Sequence, residues 1–203
     1  MKQMLAGLEY YGKQIFPYFQ IDESNIEVCK QLIMYFNSDP KFEECGNNFS
    51  LLKGLLIRGP VGSGKTALMK AIDSLIANTG NKNSFVIVPT RTIERDFIDS
   101  GNEIINYYGK NSRSVNSTRV YCFDDLGLES AEAKFYGNHV KVMAEILLDR
   151  YDLGLLTHAT TNLAITAGDN SLITIYGDRV VSRMHEMFND IKLFGEDRRK
   201  KRI

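Results

Sequence analysis

A chain of 203 residues is long enough for one well-packed core and short for a second full domain. Lys plus Arg and Asp plus Glu balance at 25 each, so no global field drives the protein onto nucleic acid. Three cysteines (Cys29, Cys45, Cys122) without a CxxC pair, and three scattered histidines (His139, His158, His185), speak against a disulfide framework and a spaced metal-ligand set.

The N-terminus carries no signal-peptide pattern, and no apolar run approaches bilayer length, so a cytoplasmic protein without membrane contact is expected. Residues 1–20 hold Tyr10, Tyr11, Phe16, Tyr18 and Phe19 around Pro17. They predict an extended arm that lays its rings on the main body, with a partner-binding arm as the alternative. From Ser24 to Ser38 the spacing of Ile26, Cys29, Ile33 and Phe36 predicts a helix, ended by Asp39-Pro40. Residues 1–50 are thus read as an arm and helix packed on a core formed by residues 51–203.

That core opens on a short apolar strand, Leu55-Leu56-Ile57, followed by Gly59-Pro60-Val61-Gly62-Ser63-Gly64-Lys65-Thr66. The eight residues match the phosphate-loop pattern in full. Gly62 and Gly64 allow positive φ and close backbone approach, so consecutive amides can form an anion nest. Lys65 is expected to reach the β- and γ-phosphates of ATP and the Thr66 hydroxyl to hold Mg²⁺. Leu68, Ala71, Ile72, Leu75 and Ile76 then recur at helical spacing up to Gly80. A helix beginning near Lys65 adds its N-terminal partial charge to the nest.

Phe85-Val86-Ile87-Val88 reads as a strand closed by Pro89, and a helix is expected from about Thr92. Ser100 and Glu103 have capping-box spacing, which predicts a second helical piece before a polar loop over Gly109–Ser117. Val120-Tyr121-Cys122-Phe123 is a strand ending in Asp124-Asp125. In an open parallel sheet the ligand lies at the carboxyl ends of the strands, so these two acids should sit beside the phosphate loop. Asp124 would organise Mg²⁺ and Asp125 would orient or deprotonate the attacking water.

A helix is predicted over His139–Tyr151, then a strand over Leu155–Thr160 ending at Thr161-Asn162. Asn162 can hydrogen-bond the attacking water or the γ-phosphate, or merely form a turn. His158, within that strand, reads as a packed ring. Ser171–Phe188 is helical in pattern except at Gly177, with Arg179 and Arg183 on one face. Ile191–Phe194 reads as a last strand. Arg198, Arg199, Lys200, Lys201 and Arg202 form a basic end, either a solvated tail or a phosphate-contacting patch.

Taken in order, GPVGSGKT, YCFDDLG, THATTNL and YGDRVVSRM resemble the DnaC/IstB-like branch of AAA+ ATPases, which includes helicase loaders and transposition helper ATPases. The likeness spans roughly residues 50–200. It implies an α/β P-loop NTPase of AAA+ type, with a five-stranded, mostly parallel sheet and helices on both faces. It implies ATP and Mg²⁺ as cofactors, Asp124 and Asp125 as the Walker B element, and Asn162 as sensor 1. Arg183 matches the arginine finger that acts on a neighbouring subunit's ATP, with Arg179 as the competitor. A homo-oligomer follows from the finger, and the implied partners are single-stranded DNA and a replicative helicase or transposase.

The chain departs from the pattern in three ways. Asp125 stands where most AAA+ proteins have a catalytic Glu, and Glu129 is near enough to be weighed as a substitute. No stretch after the sheet is long enough for a full helical lid, so no lid-borne arginine is expected. Only about fifty residues precede the core, where loaders carry a partner domain. A DNA-linked, Mg²⁺-dependent ATPase is the leading expectation. A monomeric phosphotransferase and a nucleotide-gated binding module with little turnover are the alternatives.

Overall fold

The computed structural model describes residues 1–110, 119–129, 133–135 and 138–199. Its first element, helix α1 (Lys2–Ile15), corrects the expected extended arm. Pro17 lies beyond the helix and does not interrupt it. The two glycines inside α1 are sites of close approach: a Cβ on Gly12 would lie 2.3 Å from the Phe19 ring, and one on Gly7 would lie 3.3 Å from Leu75. Phe19 is buried as expected, whereas Tyr10 and Tyr18 face solvent. Helix α2 (Ile26–Phe36) follows, then a 3₁₀ turn over Pro40–Cys45 whose first turn is capped by the Asp39 side chain.

Strand β1 (Gly54–Arg58) leads through the glycine-rich loop into α3 (Lys65–Thr79). The chain continues with β2 (Val86–Pro89), α4 (Thr90–Ser100), α5 (Asn102–Lys110) and β3 (Tyr121–Asp124). Beyond Gly109 and Lys110, which close α5, the polar loop expected there lies outside the described residues. A hairpin of β4 (Ala133–Phe135) and β5 (Asn138–Val140) precedes α6 (Val142–Asp152). The helix predicted from His139 therefore starts three residues later, because residues 138–140 pair as a strand. The chain closes with β6 (Thr157–Thr161), α7 (Leu172–Tyr176), α8 (Asp178–Met187) and β7 (Phe188–Lys192). The last strand thus begins three residues before the expected one.

The main sheet has five strands in the order β2-β3-β6-β1-β7, and every pairing is parallel. Both faces of the central strands are covered, so β1 and β3 read as nearly continuous apolar runs rather than alternating ones. The period of two still sorts the side chains. Leu56, Tyr121, Phe123 and Ala159 point into a core with α4, α5, α6, α7 and α8. Leu55, Ile57 and Cys122 point into a second core with α1, α2 and α3. No helix among the described residues is long and apolar enough to cross a membrane.

His158 is fully buried among the rings of Tyr35, Phe36 and Phe85, and its Nδ1 accepts the Leu55 N–H at 3.1 Å. Burial, helped by the nearby Arg150 charge, pushes its imidazole down to about 3. The unfolded chain takes up that proton near pH ~6.5, whereas the native ring stays neutral. Its contribution to stability is therefore complete above pH ~6.5 and is lost as pH falls toward about 3, by up to ~1.4 kcal/mol per pH unit. Urea unfolding at pH 7 and pH 5 should show this loss, and the pH slope should shrink in His158→Phe. Equal slopes in the two proteins would overturn the neutral-ring assignment.

Candidate functional site

Strands β3, β6 and β1 are neighbours in the sheet, so their carboxyl ends deliver three segments to one place. From β1 comes the glycine-rich loop. Gly62 (φ 81°) and Gly64 (φ 100°) take the left-handed conformations that the motif predicts, and Gly64 caps α3. The loop is also tightly seated. A Cβ on Gly59 would lie 2.1 Å from the Leu193 carbonyl oxygen, and one on Gly62 would lie 1.9 Å from an Asp197 carboxylate oxygen. The buried Ser63 hydroxyl has no hydrogen-bond partner among the described residues. An orphaned hydroxyl in a loop with two glycines at positive φ fits a loop built for phosphate oxygens.

Lys65 is buried at the start of α3. Its Nζ donates to the carbonyls of Gly59 (2.8 Å) and Pro60 (3.0 Å) and to Asn162 Oδ1 (2.5 Å). Burial lowers its pKa from the usual lysine value, and Asp125 and Asp124 oppose that shift. Asn162, just past the end of β6, is thus brought directly onto Lys65. The Thr66 hydroxyl lies 2.9 and 3.0 Å from the two Asp124 carboxylate oxygens. Asp124 also accepts from the Thr160 hydroxyl at 2.7 Å. One hydroxyl and one carboxylate, both oxygen donors, fit a hard divalent ion that completes its shell with phosphate oxygens and water.

Asp125 sits at φ 60°, a left-handed conformation that Asp tolerates better than most residues. Its backbone is pinned on both sides. The Asp125 N–H donates to Thr160 Oγ1 (2.9 Å), and the Thr90 hydroxyl donates to the Asp125 carbonyl (3.0 Å). The next residue is held the same way, with Leu126 N–H on the Thr160 carbonyl and the Thr161 hydroxyl on the Leu126 carbonyl. Burial and the neighbouring Asp124 charge raise the Asp125 carboxyl above its ordinary value, with Lys65 and Arg91 acting against them.

A cavity of about 520 Å³ lies over these groups, walled by residues 61–66, Asp125, Leu128 and Asn162. Its remaining wall was not foreseen. Phe16, Tyr18, Phe19 and Gln20, from the stretch after α1, supply an apolar side. Arg198 and Arg199 supply a cationic one. The Arg198 N–H donates to the Gly62 carbonyl (3.0 Å), and its guanidinium reaches Gln20, Asp22 and Ser24. Arg198 is therefore fixed in the wall, whereas Arg199 lines the cavity but stays exposed; Lys200, Lys201 and Arg202 lie outside the described residues. Threonines 90, 160 and 161 were also missed as supports of the acidic turn.

Three expected residues stand apart from the cavity wall. Glu129 is buried, with its carboxylate turned to the Gly127 N–H and the Tyr176 hydroxyl. Arg183 lies on α8 with its guanidinium 4.8 Å from the Tyr151 ring centroid and 3.6 Å from Glu186. Arg179, one turn earlier, lines a separate concavity with Lys110, Lys141 and Glu145.

No protein-family model matches the sequence, and a search of curated proteins finds no match. Solved structures do match. The DnaC helicase loader is 21% identical, with 88% of this chain and 94% of that chain covered and a TM-score of 0.57. DnaI is 21% identical over 86% of this chain and 87% of its own, also at TM-score 0.57. The replication initiator DnaA bound to AMPPCP and single-stranded DNA is 17% identical over 88% of this chain and 49% of its own, at TM-score 0.55. At these identities the likeness shows the fold alone: a five-stranded parallel sheet with helices on both faces, the architecture that the motif order implied.

Proposed function

We propose that this protein binds ATP with Mg²⁺ and hydrolyses it as an assembling AAA+ ATPase that acts on DNA, in helicase loading or a related replication or transposition step. The observation that carries the reading is the convergence of Lys65, Thr66, Asp125 and Asn162 at one cavity from three adjacent strand ends, with the buried Asp124 hydrogen-bonded to Thr66. The loop over residues 61–64 cradles the phosphates through its backbone amides, and Lys65 leaves Asn162 and the loop carbonyls to pair with them. Thr66 and Asp124 would hold Mg²⁺, which would supply charge neutralisation to the phosphates. Asp125 accepts the proton of the attacking water, and Asn162 orients that water. The apolar wall of Phe16, Tyr18 and Phe19 gives the base a surface outside water. Arg183, remote from its own cavity, acts on the ATP of a neighbouring subunit. The action on DNA is supported by the fold shared with DnaC, DnaI and single-stranded-DNA-bound DnaA.

Lys65→Ala tests the binding half of this reading. Removing a buried cation from the phosphates should weaken binding of a fluorescent ATP analogue by about 10- to 100-fold. Equal affinity in the two proteins would overturn the site. Steady-state hydrolysis with Mg²⁺, with and without single-stranded DNA at several protein concentrations, tests the rest. Turnover rising more than linearly with protein and responding to DNA is expected. Turnover strictly linear and indifferent to DNA would favour the phosphotransferase or the slow nucleotide switch.

A further inference from the structure

Glu129 is a buried carboxylate for which hydrolysis has no direct use. One of its oxygens accepts the Gly127 N–H at 3.0 Å, and the other accepts the hydroxyl of Tyr176, the last residue of α7. Both side chains are buried. Gly127 has φ 89°, and a Cβ there would lie 2.5 Å from Leu163 Cδ1 and 3.3 Å from Leu172 Cδ2. Helix α7 therefore packs straight onto the backbone of the turn that carries Asp125. Thr90, Thr160 and Thr161 hold the upstream end of that turn, and Glu129 holds the downstream end.

We propose that Glu129 and Tyr176 are a positioning pair that fixes the Asp125 turn and joins it mechanically to helices α7 and α8, which carry Arg179 and Arg183. The inference rests on the ATPase reading above. Asp125 occupies a left-handed backbone conformation, and such a residue keeps its aim only while its surroundings over-determine it. Gly177 alone separates Tyr176 from the first residue of α8. A displacement of α8 thus reaches Tyr176, then Glu129, then Gly127, two residues from Asp125. Burial and the Glu129 carboxylate push the Tyr176 phenol well above its ordinary value, so the proton stays on Tyr176 and the hydrogen bond keeps its direction. The pair gives the face that bears the arginines a route to the hydrolytic acid of the same subunit.

Tyr176→Phe keeps the ring and removes only the hydroxyl; Glu129→Gln keeps the shape and only one good acceptor for two donors. Both variants should fold, as melting curves will show. In Tyr176→Phe, amide exchange in peptides spanning 125–128 should speed up by about tenfold while α1 peptides stay unchanged. The kcat for ATP should fall by about tenfold or more, with nucleotide Kd kept within about twofold. Glu129→Gln should move both readouts the same way, and it decides the matter if Tyr176→Phe proves too unstable to assay. Unchanged exchange near Gly127, or unchanged kcat, overturns the proposal. So does a Kd that weakens in step with kcat, since the pair would then support the whole site and not the aim of Asp125. Should the wild-type protein show no turnover, the ATPase reading fails, while the exchange measurement still decides whether the clamp exists.

Discussion

Arg183→Ala should lower ATP hydrolysis by ~10³ or more at concentrations where subunits associate, and leave nucleotide affinity close to wild type. The size follows from the proposed role, a guanidinium that meets transition-state charge in a neighbour's site. Within its own subunit Arg183 rests on the Tyr151 ring and pairs loosely with Glu186, whose other oxygen takes the Tyr151 hydroxyl. Those contacts hold it weakly. A half-exposed ion pair contributes ~0–1 kcal/mol and an exposed cation–ring contact ~0.5–1 kcal/mol. A factor of ~10³ corresponds to ~4 kcal/mol, so a neighbour's phosphates outcompete the resting position. Mixing makes the test decisive. Lys65→Ala keeps the finger and loses the nucleotide; Arg183→Ala does the reverse. Each should be inactive alone, and activity should return when they are combined. No recovery from a demonstrably mixed assembly would rule out action in trans. Undiminished hydrolysis by Arg183→Ala would pass the role to Arg179, which faces the concavity beside Lys110 and Glu145.

The parts of the site that were legible in the sequence are those whose chemistry dictates residue type at fixed spacing. A phosphate cradle needs glycines at positive φ followed by Lys-Thr, and an apolar strand ending in two acids announces itself once that loop is known. The topology then does the rest, since adjacent parallel strands bring Asp124, Asp125 and Asn162 to Lys65. What escaped notice depends on contacts between distant segments. Arg198 reads as one of five basic residues until it is seen bonded to Asp22 and Ser24 on one side and to the Gly62 carbonyl on the other. Thr160 reads as a strand residue, and only the β3–β6 pairing turns its hydroxyl into a bridge between the Asp125 amide and the Asp124 carboxylate. Helix α1 was hidden by its own glycines, which weaken helix propensity but let Phe19 and Leu75 approach. The β4–β5 hairpin has three-residue strands, too short for any periodicity to emerge.

Asp125→Asn should reduce turnover by about 10²–10⁴ while retaining ATP binding, and at neutral pH it should also raise the melting temperature. The two effects share one cause. Asp125 is partly withdrawn from water and lies beside Asp124, so its carboxyl is raised above the ordinary value despite Lys65. A carboxyl that binds its proton more tightly in the native state than in the unfolded chain penalises the native state once it ionises. Asn carries no such charge and also accepts the left-handed backbone at φ 60°, so the substitution removes the penalty without straining the turn. The stability gain should be full at neutral pH and vanish as pH falls below the ordinary carboxylate value, where wild-type Asp125 is protonated in both states. In a chain of this length each kcal/mol gained appears as about 2–4 °C in Tm. If Asp125→Asn melts earlier than wild type and hydrolyses ATP equally well, Asp125 serves to shape the turn. Wild-type turnover far below ordinary enzyme rates, together with tight ATP binding, would then make the nucleotide-gated switch the better account.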